Sequence, residues 1–201
     1  MTIDEYITLE HVATPEVVAQ MKDQGKPTYL FDRPSKWRLL HWWRTRKQQP
    51  VRVPDTLNGL TYGELIELQM AGDIRTFIAT ACRVVLGVED LRRVFTEEAA
   101  PMVGFANWVA SEVERIDGLF RALERPLTAE QLQAGYGSLH FGLFGSLDWF
   151  AKRMGITNHD EVLAVKWTVI YKVKERDVKV AECDERYSKI MQAKNEHKGR
   201  K

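Results

Sequence analysis

The chain has 201 residues, 44% hydrophobic and 28% charged, with a net charge of +1. That composition excludes a disordered chain and fits a globular protein long enough to bury a core without disulfide or metal staples. No apolar run approaches the roughly 18 residues of a membrane span, and the opening MTIDEYITLEHVATPE carries acids where a signal peptide carries bases; a cytoplasmic protein with no membrane association is expected.

Taken in chain order, residues 1–54 read as an irregular N-terminal arm. TIDEYITL suggests a short strand, and TPEVVAQMKDQG a helix of about ten residues, capped by Thr14, with Pro15 in its first turn and Gly25 past its end. Prolines at 27, 34, 50 and 54 then cut the chain into short pieces.

Residues 55–194 read as a helical body. Thr61 and Glu64 form a T-x-x-E capping box with Leu60 placed as a staple, and Leu65, Ile66 and Leu68 give the helix an apolar side. Asp73 caps the next helix and Gly87 stops it; Ile74, Phe77, Ile78, Ala81 and Val85 recur at helical spacing. After the short helix of VEDLRRVF comes the longest apolar stripe: Met102, Phe105, Ala106, Val109, Val113, Ile116, Phe120 and Leu123, with Pro101 in the first turn and Pro126 beyond the end. Thr128 and Gln131 form a second capping box. A helix over 143–154 stops at Gly155, with Gly142 and Gly145 offering close packing to a neighbour. Thr157 caps a short helix to Val165, and a long helix runs from Trp167 to about residue 193, leaving 195–201 as a frayed basic tail. The fold class expected is mainly α: an irregular bundle of about six to eight helices carrying an extended, Trp-rich basic N-terminal arm.

Charge is unevenly placed along this plan. Residues 1–31 carry net −3, 32–52 net +6, 53–165 net −7 and 166–201 net +5. Such polarity speaks to partners rather than to fold.

The segment LFGSLDWFAKRMGITNHDEV has the outline of a helix-turn-helix. Phe150, Ala151, Met154, Gly155 and Ile156 suit that pattern, but Glu161 stands where an apolar packing residue belongs, with Val162 as the nearest substitute. The start of the second helix holds Asn158, His159, Asp160 and Glu161, and two carboxylates there would face the phosphate lattice. Sequence-specific DNA is therefore not an expected partner.

The arm's segment RPSKWRLLHWWRTRKQQPVR packs three tryptophans among its bases. On a helical wheel Trp37, Leu39, Leu40, Trp42 and Trp43 span about 220°, and Arg44, Arg46 and Lys47 fall inside that arc, which argues against an interfacial membrane helix. Either these side chains plug the arm onto the acidic body, or they dock a partner protein through Trp and Arg anchors. Six tryptophans exceed what a chain of 201 residues needs for its core; the candidate partner-binding residues are Trp37, Arg38, Trp42, Trp43, Arg44 and Arg46. Stacking on single-stranded nucleic acid is the alternative for the same segment.

No catalytic, cofactor or metal residue is nominated. The five histidines are scattered, with neither H-E-x-x-H nor E-x-x-H, and GYGSLHFG has His140 where a dinucleotide fingerprint needs glycine. His140 is the histidine expected to be buried, and a pocket beside it is where an enzyme reading would place its site. Cys82 and Cys183 lack CxxC spacing; two reduced, buried thiols are the expectation, a long-range disulfide the alternative. Glu112–Arg115 and Glu175–Lys179 stand at helical pairing distance.

The stretches LNGLTYGELIELQ, 57–69, and FGSLDWFAKRMGITNHDEVL, 144–163, resemble phage tail-assembly chaperones and related small phage morphogenesis proteins. The resemblance covers about a quarter of the chain. It implies a mostly helical, non-catalytic protein without cofactor that binds phage tail or capsid components, such as a tape-measure protein or tail-tube subunits. No residue role is carried over from it. The function expected is that of a protein-binding assembly accessory, with oligomerisation open. The alternatives are a nucleic-acid binder, using the basic arm and C-terminal helix, and an enzyme with a pocket near His140.

Overall fold

The first turn of the chain already departs from the expected strand. Thr2 and Glu5 form a capping box: the Glu5 amide donates to Thr2 Oγ1 (3.3 Å) and the Thr2 amide to Glu5 Oε2 (2.9 Å). Ile3–Glu10 is accordingly a helix, α1, because satisfying these end amides outweighs the β preference of its isoleucines and tyrosine. A computed structural model of the chain describes residues 1–10, 23–31 and 50–199. The helix expected from TPEVVAQMKDQG lies mostly outside them.

The described chain is mainly α-helical, with a single two-stranded sheet. After α1 come β1 (Tyr29–Leu30) and β2 (Val51–Arg52), then α2 (Tyr62–Met70), α3 (Ile74–Leu86), α4 (Leu91–Phe95), α5 (Ala99–Arg121), α6 (Ala129–Gln133), a 3-10 turn (Tyr136–Ser138), α7 (Gly142–Met154), α8 (His159–Leu163) and α9 (Trp167–Gly199). Eight of the described helices follow residue 55, in line with the expected bundle. The chain divides into two units, Met1–Ile116 and Asp117–Lys201, and the division falls inside α5.

The core of the first unit is built on the α5 stripe. Met102, Phe105 and Val109 are fully buried, together with Ile78, Ala81 and Cys82 of α3 and Val94 of α4. The caps read from the sequence are in place: Thr61 with Glu64 on α2, Asp73 on α3, and Gly87 in the left-handed region at its end. Residues 1–10, expected in the arm, contribute Ile3 and Tyr6 to the core. Their backbone is tied to the α4–α5 junction by Ile3 N–H to Glu97 O (2.9 Å) and Ala99 N–H to Met1 O (3.1 Å).

Gly104 of α5 is where the chain at 24–25 crosses that helix. A Cβ on residue 104 would run into the Gly25 carbonyl, well inside van der Waals contact, and lie 3.3 Å from Gln24 Cβ. Gly104→Ala is therefore expected to destabilise this unit by about 1–3 kcal/mol, even though alanine gains about 1 kcal/mol of helix propensity. Thermal unfolding of the variant measures it.

Glu112 clips the 57–58 loop onto the same helix. Its carboxylate accepts from Arg115 Nε and Nη2, both at 2.9 Å, and from the Leu57 amide at 3.4 Å, while Arg115 also reaches Asn58 Oδ1. The Arg115 hydrogen bond, and after it the Leu57 amide, hold the Glu112 carboxyl below its ordinary range against the opposing effect of burial. A carboxyl with a depressed folded pKa stabilises above the unfolded value, about 4.3, and loses that contribution as pH falls through the folded one. Glu112→Gln is expected to flatten the acid limb of the stability–pH curve below about pH 4.3, measured by denaturant titration at several pH values.

In the second unit the core is small: Leu147, Phe150 and Ala151 of α7, Val162 of α8, and Trp167 and Ile170 of α9. Phe120, Trp167 and Tyr171 form an aromatic cluster, with Phe120 edge-on to Tyr171 at 5.6 Å. Arg153 Nε, 3.0 Å from Asp177 Oδ2, ties α7 to α9. α9 continues to Gly199, past the end expected near residue 193.

Candidate protein-docking surface

Between α5 and α7 the second unit has elements too short to bury themselves. α6 is five residues and the 3-10 turn three. Each is held by local bonds. Thr128 and Gln131 complete the capping box (2.9 and 3.3 Å), and Ser138 Oγ donates to Gly135 O at 2.8 Å. Gly135 (φ +86°) and Gly142 (φ +50°) turn the chain on either side of the 3-10 turn.

The consequence is a run of large apolar side chains facing water. Leu127, Leu132, Tyr136, Leu139, Phe141, Leu143 and Phe144 are all exposed, with Phe141 at 65% and Phe144 at 62%, and no residue of 127–144 is buried. Leu132 and Leu127 flank Gly137, where a Cβ would meet their methyl groups at 3.4 and 4.0 Å. Phe141 lies over Gly145, and Phe144 stands edge-on to His159 at 5.4 Å. Scattered apolar residues on a surface are ordinary; seven exposed within 18 residues make this stretch the candidate docking surface.

Two sequence expectations are corrected here. His140 is exposed: it lies in the short connection between the 3-10 turn and α7, where no residue of 127–144 is buried. Gly145 serves its own helix's Phe141 rather than a neighbouring helix. The sequence signal for the surface was present as the apolar, glycine-rich stretch GYGSLHFGLFG, whose exposure periodicity does not report.

The helix-turn-helix outline forms a corner between α7 and α8. Gly155 ends α7 in the left-handed region (φ +69°), and the Ile156 amide donates to Ala151 O at 2.9 Å. Val162 is fully buried while Glu161 is exposed, so the packing position has moved one residue along. Asn158, not Thr157, caps α8, which is only five residues long and has Asp160 and Glu161 in its first turn.

Trp37, Arg38, Trp42, Trp43, Arg44 and Arg46 lie outside the described residues. Their flanks do not. β1 and β2 pair antiparallel, Tyr29 with Arg52 and Leu30 with Val51, and the Val53 amide donates to Thr28 O at 3.0 Å. Leu30, Phe31 and Val53 are buried, and Arg93 sits over the Phe31 ring at 4.3 Å. Phe31 itself has φ +63°, a costly conformation for a phenylalanine. The ladder thus joins both ends of the Trp-rich segment at one place on the first unit. Of the other tryptophans, Trp167 is buried, and Trp108 and Trp149 are half-buried, Trp108 beneath the Lys26 ammonium at 4.2 Å.

Both cysteines are thiols. Cys82 is buried, with its thiol pushed up to about 12 by burial and, after that, by the charge of Glu97; Cys183, expected to be buried, is exposed on α9. It lies within Lys179–Asn195, where every residue is exposed. The pairs Glu112–Arg115 and Glu175–Lys179 both form, at 2.9 and 2.8 Å. Among the described residues no group of three or more metal-ligating side chains gathers, and no helix is long and apolar enough to cross a membrane. No family model, curated protein or solved structure matches the chain.

Proposed function

We propose that this chain is a non-enzymatic protein-binding accessory of an assembly process, and that the 127–144 surface of its second unit is a principal docking site. The observation that carries this reading is the run of seven exposed large apolar side chains on a locally capped backbone. Such a surface costs free energy in water and gains it when a complementary protein removes it from solvent. The Trp-rich basic segment, anchored at both ends by the β1–β2 ladder, is a second element of the same kind, with Trp and Arg as anchors. The resemblance of 57–69 and 144–163 to phage tail-assembly chaperones supplies the partner class: tail or capsid components of a phage.

Nucleic acid is the second reading, and it rests on the net +5 of residues 166–201. The pairs of Lys172 and Lys179 with Glu175 and of Lys189 with Glu185 are already counted in that net charge; what favours a protein partner is the apolar run of 127–144. Coexpression with the products of the adjacent genes, followed by affinity capture, tests the proposal. A protein partner retained at high salt is expected, since apolar contacts are not screened. Capture of nucleic acid alone, released as salt rises, would support the second reading instead.

A further inference from the structure

α9 is 33 residues long, and its buried residues, Trp167 and Ile170, lie in the first turn. From Lys179 to Asn195 every residue is exposed. Within that length Val180, Cys183, Tyr187 and Ile190 follow one another at spacings of three, four and three. This is the 3.5-residue repeat of a coiled-coil seam, with Val180 and Tyr187 at a positions and Cys183 and Ile190 at d positions. Val180 is 48%, Tyr187 63% and Ile190 55% exposed. The body of the unit reaches this part of the helix through Arg125, whose guanidinium pairs with Glu185. Glu185 is an f position, on the far side from the seam.

The flanking charges say what covers the seam. The g positions are Lys179 and Arg186, and the e position between them is Asp184. In a parallel pair each g residue faces the e residue five places on in its partner, so Lys179, which also pairs with Glu175 one turn back on its own helix, meets Asp184. In an antiparallel pair g meets g and e meets e, which sets Lys and Arg against one another and Asp against Asp. The heptad before has Arg176 at d, and its e residue Asp177 is already engaged by Arg153; the seam therefore opens at Val180. Lys172, Glu175, Arg176, Lys179, Val180 and Cys183 line a shallow groove leading into it.

We propose that residues 180–194 of α9 form a parallel, in-register two-stranded coiled coil with the same segment of a second copy of this chain. Two heptads make a short seam, so the dimer dissociates on dilution.

Cys183 makes the test direct. At a d position of a parallel pair the two Cys183 residues stand across the dimer axis, within the Cα separation of about 4.4–6.8 Å that a disulfide spans. Diamide, which accepts the two electrons and two protons released, is expected to convert the full-length chain into a covalent dimer. Cys82, fully buried, does not compete. Cys183→Ser should abolish the cross-link while leaving a dimer by light scattering. Lys194→Cys in the Cys183→Ser background should restore the cross-link, since only a parallel, in-register pair aligns both positions. Tyr187→Glu with Ile190→Glu should raise the dimer dissociation constant roughly tenfold or more, with helicity of the dilute chain unchanged because both sites are exposed. Asp184→Lys should weaken the dimer, and adding Lys179→Glu should restore it. A monomer at all concentrations, a dimer indifferent to the Tyr187 and Ile190 changes, or cross-linking at only one of the two positions would each overturn the proposal.

Discussion

Ile3→Ala is expected to destabilise the first unit by about 2–5 kcal/mol, as much as a substitution in the middle of α5. Ile3 has no exposed surface, and Tyr6, one turn on, is 3% exposed. The backbone around it is bonded on both sides: Ile3 donates to Glu97 O, Met1 O accepts from Ala99, and Thr2 bridges to Glu98. A cavity there cannot close by sliding α1, since α1 is fixed by those bonds and by Asp4 with Arg75. The Asp4–Arg75 pair is half-exposed, so Asp4→Ala serves as the control, at about 0–1 kcal/mol. Cys82 provides a local probe, because its thiol can react only when this unit opens. Under conditions where closing outpaces labelling, Ile3→Ala should speed modification of Cys82 on the order of 30- to 5,000-fold. Unchanged labelling would mean that burial of the Ile3 side chain contributes nothing to the stability of this unit.

The second large effect is on binding and not on stability. Phe141→Asp with Phe144→Asp places two carboxylates in the middle of the exposed run. Hot-spot aromatics at protein interfaces contribute about 2–4 kcal/mol or more each, so a loss of affinity of a hundredfold or greater is expected for the captured partner. Stability should change by less than about 1 kcal/mol, because Phe141 and Phe144 are mostly in water, beside Gly145 and His159. Isothermal titration of the variant, paired with its thermal melt, separates the two. Equal losses of affinity and stability would mean that these rings are structural.

Local signals were legible in the sequence wherever one turn of chain decides the outcome. The capping boxes at Thr61–Glu64 and Thr128–Gln131, the Asp73 cap and the Gly87 stop all stand where their residue types placed them. The α5 stripe was legible because 23 residues of one helix repeat the same period. Thr2–Glu5 carried the same capping signature at the start of the chain, but the β-branched and aromatic residues after it pointed to a strand. Pairing of Tyr29–Leu30 with Val51–Arg52 could not be read, since two-residue strands have no period and the partners are set by tertiary contacts. Exposure was the larger gap. Apolar spacing says that side chains share a face, and not that anything covers it. That is why Cys183 and His140 were expected inside, and why Gly142 and Gly145 were expected to pack against a neighbouring helix. The partner-binding residues nominated in the Trp-rich segment lie outside the described residues, and only the ladder that anchors them is part of the structural account.

Hydrogen–deuterium exchange of the chain with and without its captured partner shows where the partner sits. Amides of 127–144 should exchange quickly in the isolated chain, where short capped elements open readily, and slow markedly in the complex. Protection confined to α9 and the Trp-rich segment, with 127–144 exchanging as fast as before, would contradict the account.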